Sequence, residues 1–478
     1  MKKVVLYFVL LLLLAPALQA QQLEEYLVIA GENNPLLKAR YSEYQAALQR
    51  VPQVGALPDP EANFNFFLKP MERYMGNQVG DAAIMQMFPW FGSLGAAKDE
   101  ATYMAQMQFS NFIEAKINLY HEVRTTWYTL YRLEQEALLV EKELEIMQAL
   151  ERIALAKYKS PTTTGASSGA PAPRANSTGG GSSMASGGGA GMAGMGGGSS
   201  AASAPQTSSG GMGSNSGMSA MSGTATGGSM VDVILIRVQV KELENRLHLL
   251  RQSRRPQEVK FNNLLHRQPD LPVQVGDSLG AAVLPATLSL LQDSIRQNHP
   301  MLQMYAWDEK ARTAQLRMAQ LMGRPMIGVG VNYMVFRPRN DAMMGEMAGN
   351  NMLMPMVRVT LPIYRKKYNA QKKEAEYAQQ AARQQKEYTE RQLLTELENL
   401  LYEYQRTGST LQLLQEQVAL NEQAIRLLTT NYTVAATGLE EVLRQRQNLL
   451  SYKQQQLQAV VEQHTAVSGI RLLTGTDE

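Results

Sequence analysis

Residues 326–336 read MIGVGVNYMVF. Taken two at a time, Ile327, Val329, Val331, Tyr333 and Val335 make one bulky apolar face, while Gly328, Gly330 and Asn332 fall on the other. A strand of about ten residues with this period suits a barrel wall that meets lipid outside and water inside. A second strand-like stretch, MVRVTLPIYR (Met356–Arg365), follows the polar loop Arg337–Asn351. The first half of the chain carries a matching pair. In ANFNFFLK (Ala62–Lys69), Ala62, Phe64, Phe66 and Leu68 alternate with Asn63, Asn65 and Lys69, although Phe67 spoils the pattern. AAIMQMFPWFG (Ala82–Gly92) follows the loop Pro70–Gly80 and alternates poorly over Ala82–Phe88, so the sequence leaves its faces open. Two hairpins supply only four strands, too few to close a barrel, and lipid does not tolerate open strand edges. Strands that cross a membrane here must be shared between copies of the chain, three copies supplying twelve.

The pairing of hairpins belongs to a wider duplication. Asn34-Pro35 corresponds to His299-Pro300, Pro89 to Pro362 and Tyr158 to Tyr432, the last two at offsets of 273 and 274. Two anchors about 70 residues apart that hold register to one residue identify a tandem repeat. Beyond them Asp232-Val233 matches Glu441-Val442 at an offset of 209, so the first copy carries about 65 extra residues, the Gly/Ser/Met-rich tract. The second copy makes the same helix-to-helix turn compactly, at TVAATGLEEV. Ser93–Ser160 and Lys366–Thr437 contain no proline and one glycine each, and as helices would be roughly 100 Å long. Rods of that length must pack lengthwise, and heptad spacing at Leu411, Val418 and Ile425, with Leu414 and Leu428 beside them, returns at Leu443, Leu450 and Leu457. These leucines read as packing.

Composition narrows the function. The net charge of +3 gives no electrostatic case for nucleic acid. Cysteine is absent, which removes disulfides, thiolate metal sites and lipid attachment through an N-terminal cysteine. Lys2 and Lys3, the apolar run Val4–Ala15 and small residues before Gln21 read as a signal peptide over 1–20, too short to span a bilayer. No later apolar run reaches about 18 residues, so a membrane span must be made of strands. HExxH, P-loop and Gly-x-Ser-x-Gly motifs are missing, and His121, His248, His266, His299 and His464 stand isolated, so the chain does not read as an enzyme.

The segments NNPLL and NHPML, FPWFG and LPIYR, and NYTVAATGLEEVLRQRQNLL (Asn431–Leu450) occur in an order and spacing that resemble the TolC-type outer-membrane efflux proteins. The last is similar to that family's periplasmic tip signature, with Ala435 where a glycine is expected. The resemblance covers the chain from Gln21 to Glu478 apart from the insertion. It implies a mainly α fold with membrane β-strands: long antiparallel coiled-coil helices forming an α-barrel, below a trimeric 12-stranded β-barrel to which each subunit gives four strands. It implies a homotrimer in outer-membrane lipid, with a periplasmic adaptor and a proton-driven inner-membrane pump of the resistance-nodulation-division type as partners, and no cofactor. The expected organisation is a first repeat at 21–160 (strands about 62–69 and 82–88, long helix about 93–160) and a tip insertion at 161–230. A returning helix and connector follow at 231–285. The second repeat takes 286–478, with strands about 326–336 and 354–361 and helices about 366–437 and 439–473.

At the tip, the resemblance puts Tyr432 at the family's gate tyrosine, Thr437 in place of a gate arginine, and Arg444 and Glu441 at two pore aspartates. Three copies of Glu441 would make a carboxylate ring, an ion-binding constriction. Glu440 and Glu441 also fit a solvated first helical turn, where the helix dipole favours acids. The insertion holds Met184, Met192, Met195, Met212, Met218 and Met221 without Cys or His, and thioethers are soft ligands that suit Cu(I) and Ag(I). The second hairpin adds Met343, Met344, Met347, Met352, Met354 and Met356. The function expected is a passive exit duct for a tripartite efflux pump, with Cu(I)/Ag(I) or other heavy-metal cations as preferred cargo. The alternatives are drug efflux or type I secretion through the same fold, and a surface coiled-coil interaction protein.

Overall fold

A computed structural model describes residues 23–73, 76–159, 230–276, 279–284, 286–338, 349–433 and 438–475. The elements run α1 (residues 23–33), α2 (Pro35–Gly55), β1 (Glu61–Arg73), β2 (Gly76–Phe88), α3 (Ser93–Lys159) and α4 (Met230–Leu264). The second half repeats the series as α5 (Leu288–Asn298), α6 (Pro300–Met322), β3 (Met326–Arg337), β4 (Met352–Thr360), α7 (Arg365–Thr433) and α8 (Leu439–Thr474). The tandem repeat is visible down to hydrogen bonds. Asn34 caps α2 by accepting from Leu36 N at 2.9 Å, with Pro35 at the first helical position. His299 caps α6 in the same backbone conformation, its Nδ1 accepting from Met301 N at 3.2 Å ahead of Pro300. Each proline lacks an N–H that the first turn could not have used.

The four strands form one antiparallel sheet in chain order, β1-β2-β3-β4. The first hairpin is longer than its sequence suggests. Pairs Met71↔Gln78, Glu72↔Asn77 and Arg73↔Gly76 carry the ladder through the stretch expected to be a polar loop, and a register shift between Phe66 and Met71 takes up Pro70. A bulge is where a ladder can hold a residue that has no N–H to donate. β2 therefore begins at Gly76 rather than near Ala82, and β4 begins at Met352, paired with Met334. Register also settles the faces of β2. Ala82, Ile84, Gln86 and Phe88 sit opposite Tyr333, Val331, Val329 and Ile327, while Ala83 and Met85 lie on the other face, buried.

α3 and α7 span 67 and 69 residues, about 100 Å at helical rise. α4 folds back along α3 and α8 along α7, and α3 packs on α8 between the two pairs, so α4 and α7 are the outer members of the helical layer. Apolar clusters punctuate the rods. Towards the tip, Val140, Met147 and Leu150 of α3 meet Val233, Ile236 and Val240 of α4 and Leu439, Val442 and Leu443 of α8. Midway, Trp127, Leu130 and Tyr131 pack with Phe261, Leu265, Val273 and residues of α1. Leu291, Ile295, Leu302, Leu397 and Ile470 form the corresponding cluster of the second copy. Gly469 lets α8 close on α7, where a Cβ would stand 3.0 Å from both methyls of Leu400. Of the heptad leucines, Leu411, Leu414, Ile425 and Leu443 are buried, and Val418, Leu428, Leu450 and Leu457 are half-buried. The connector after α4 is strapped to the rods: Tyr131 Oη accepts from Leu279 N (2.9 Å), and Gln463 Oε1 accepts from Ala282 N (3.0 Å).

Candidate functional site

A sheet normally hides its apolar face. β3 does the reverse: Ile327, Val329, Val331, Tyr333 and Val335 are exposed, while Gly328, Gly330 and Asn332 are buried. Phe64, Phe66 and Leu68 of β1, Ile84 and Phe88 of β2, and Leu353, Val357 and Val359 of β4 extend the exposed apolar surface across the sheet. An apolar patch this broad marks a surface made for something other than water. At the end of the sheet where strands lead into helices, Trp90 and Phe91 after β2 and Ile363 and Tyr364 after β4 add a rim, with Phe91 86% and Tyr364 75% exposed. Aromatic rims of this kind border the hydrocarbon layer in membrane barrels. No helix among the described residues is long and apolar enough to cross a membrane.

The opposite end of the rods holds the tip residues. Tyr432, in the last turn of α7, is 3% exposed within the cluster formed by α3, α4 and α8. Lys157 of α3 lies over its ring, Nζ 4.3 Å from the centroid, and donates to the Tyr432 carbonyl at 3.0 Å. The Tyr432 hydroxyl finds no hydrogen-bond partner among the described residues, and burial, with a smaller contribution from Asp232, raises its pKa. Its repeat counterpart, Tyr158, is exposed.

Glu440 and Glu441 occupy the first turn of α8. Glu440 points to solvent, whereas Glu441 accepts from Arg444 one turn on and from Gln445 Nε2 at 3.1 Å. Gln445 Oε1 in turn accepts from Asn421 Nδ2 of α7 at 3.1 Å. Two of the expected site residues, Glu441 and Arg444, are thus a single ion pair, apart from Tyr432's apolar surroundings. Thr437 and the six insertion methionines, Met184, Met192, Met195, Met212, Met218 and Met221, lie outside the described residues, as do Met343, Met344 and Met347.

Sequence reading missed two features of this region. Lys157 was unremarkable as a basic residue in a last helical turn, and only the fold brings it to Tyr432. Arg446 of α8 donates to both oxygens of Glu143 of α3 (3.2 and 3.1 Å), with side chains 16% and 10% exposed. Charges buried that deeply persist only as pairs. The signal available in the sequence was an acid and a base at apolar-seam positions of two helices.

The outer membrane efflux protein family model matches residues 291–476. No curated protein matches the chain. Solved structures share its fold over 95% of its length. The chain is similar to the outer-membrane channel OprN (13% identity, 90% of that chain, TM-score 0.69) and to the outer membrane protein VceC of Vibrio cholerae (15%, 96%, 0.68). It is also similar to CusC, described in connection with folding and transmembrane channel formation (14%, 92%, 0.70).

Proposed function

With residues 291–476 matching the outer membrane efflux protein family model and 95% of its length folded like solved outer-membrane channels, this chain is, we propose, the outer-membrane exit duct of a tripartite efflux pump. On this reading it is an outer-membrane protein of a Gram-negative cell that transports and does not catalyse. The duct is passive, a homotrimer closed around one axis, and works with a periplasmic adaptor and a proton-driven inner-membrane pump.

One observation carries the reading: the sheet exposes its aliphatic and aromatic side chains and buries its glycines. Only hydrocarbon outside and a narrow interior inside make that arrangement favourable. Trimeric closure is supported by matching open edges. β1 and β4 end the sheet, and α4 and α7 end the helical layer. Both outer helices carry exposed apolar residues seven apart, Val231 and Val238 on α4 and Leu413, Leu420 and Leu427 on α7, the spacing of a coiled-coil seam. Three copies satisfy all of these edges by placing β4 against the next β1 and α7 against the next α4.

At the tip, Tyr432 held by Lys157 keeps α7 against α3, and Glu441 balanced by Arg444 gives the constriction alternating charge rather than a bare carboxylate ring. The preferred cargo is a soft heavy-metal cation, Cu(I) or Ag(I), supported by the methionines of the insertion and the second hairpin with no cysteine anywhere.

The test is electrical. Purified protein added to a planar bilayer should give discrete single-channel steps, and unboiled samples should migrate as trimers. A monomer that stays soluble without detergent and conducts nothing overturns the duct.

A further inference from the structure

Among the described residues, no cluster of three or more His, Cys, Asp or Glu side chains could hold a metal ion. Sulfur is distributed differently. The inward face of the sheet collects methionines from three strands. Met85 on β2 pairs with Gly330 on β3, and Gly330 pairs with Met356 on β4. One row along, Met87 pairs with Gly328 and Gly328 with Arg358. Met354 beside Asn332 and Met352 beside Met334 continue the series on the same face.

The two glycines let the sulfurs converge. A Cβ on Gly328 would fall 2.5 Å from Met87 Sδ and 3.4 Å from Met85 Sδ, so both thioethers already occupy the space above that residue. Gly330 leaves Met85 and Met356 facing each other across a bare strand, with about 10 Å between their backbones. Two unbranched side chains are long enough to span that gap. Met85 is 4% exposed, and Met87 and Met356 are half-buried, which leaves them open to an ion from one side. Asn332, buried on this face, has an Oδ1 with no hydrogen-bond partner among the described residues. The neighbouring charges are Arg358, Glu61 and Asp81. Arg358 is drawn towards Glu61, Nη1 to Oε2 3.9 Å, and Asp81 Oδ2 accepts from Asn65 Nδ2 at 3.1 Å. Glu61 offsets Arg358 beside the methionines, and Asp81 adds a carboxylate on the same face four residues along β2.

We propose that Met85, Met87 and Met356 form a thioether site for a soft monovalent cation, Cu(I) or Ag(I), repeated three times around the inner wall of the barrel. The inference deepens the efflux reading and rests on it for the inward placement of this face. Neutral sulfur ligands select soft ions over Na⁺, K⁺ and Mg²⁺. Without thiolate charge they hold such ions loosely enough to pass them on, the condition a conduction path imposes.

The experiment compares the full-length trimer with Met85→Leu/Met87→Leu/Met356→Leu, substitutions close in volume and apolar character. Ag(I) is titrated calorimetrically, and X-ray absorption counts sulfur around the bound silver. The insertion methionines are present in both proteins and cancel. The variant should bind one Ag(I) fewer per protomer and lose the matching silver–sulfur signal, while Met322→Leu, on the exposed end of α6, changes neither. If the triple variant does not assemble, Met356→Leu alone should weaken that one site about tenfold. Equal stoichiometry, or for the single variant equal affinity, overturns the site. Single-channel recordings on the same preparations separate the two readings: conductance without a silver difference removes the site alone, and absent wild-type conductance removes the duct.

Discussion

The long helices α3 and α7 occupy equivalent places in the two repeats and differ in what surrounds them. α3 packs against α2, α4, α6 and α8 and buries Trp127, Leu130, Tyr131 and Val140 along its length. α7 packs mainly against α6 and α8 and leaves Tyr377, Tyr388, Tyr402, Leu413, Leu420 and Leu427 exposed. Duplication gave both helices nearly the same length, and position then divided their work. The first copy became the spine of the subunit, and the second copy faces outward with a row of leucines left exposed among the described residues.

The comparison breaks first at assembly. Leu413→Glu/Leu420→Glu/Leu427→Glu places three charges in the α7 seam and is expected to abolish the trimer, read by light scattering in detergent. Helix content should stay near the wild-type level, because these residues are more than half exposed within the subunit. A stable trimer in that variant would show that α7 is not an interface.

The next largest effect concerns charge inside the spine. Glu143→Ala strands Arg446 at the α3–α8 seam and should cost about 3 kcal/mol, seen as an earlier thermal transition. Glu387→Ala removes a partner of Arg391 on the open face of α7, where both side chains are well exposed, and should change stability by less than about 0.5 kcal/mol. Equal effects would erase the distinction between the two helices.

At the tip, Lys157→Met removes the cation from the Tyr432 ring and the hydrogen bond to its carbonyl. A loss of about 1 kcal/mol is expected, together with a larger resting conductance in bilayer recordings. The smallest effect is one of pH. Burial lowers the His299 pKa from 6.5 to about 4, so the folded state keeps the imidazole neutral where the unfolded chain protonates it. Stability from this group is full above the unfolded pKa and declines as pH falls from about 6.5 towards 4. His299→Asn keeps the cap, as Asn34 does in the first copy, and should flatten that limb in melting curves taken between pH 7 and 4.

Much of this architecture was legible in the residues themselves. The dyad pattern of β3, the paired Asn-Pro and His-Pro caps, and the proline-free runs of α3 and α7 each follow from local chemistry. The extent of the first hairpin was not legible, because Pro70 announces a loop and only a bulge with long-range pairing overrides it. The faces of β2 were equally hidden: Gln86 and Asp81 blur its alternation, and register with β3 decides which side each residue takes. At the tip, the sequence marked Tyr432, Glu441 and Arg444. It could not reveal that Arg444 neutralises Glu441, or that a lysine 275 positions away reaches the tyrosine. The methionine count was visible in the sequence, but that Met85, Met87 and Met356 share one face in two adjacent rows depends on two cross-strand registers.

The reversed polarity of the sheet also constrains how the protein is made. A lone subunit on its way to the membrane would present Phe64, Phe66, Leu68 and the valines of β3 to water, with two unpaired strand borders beside them. Such a ribbon has no comfortable resting place in an aqueous compartment and would adhere to any similar surface. On the duct reading, delivery demands something that shields the hairpins until sister subunits and lipid arrive together, and insertion and oligomerisation become one event.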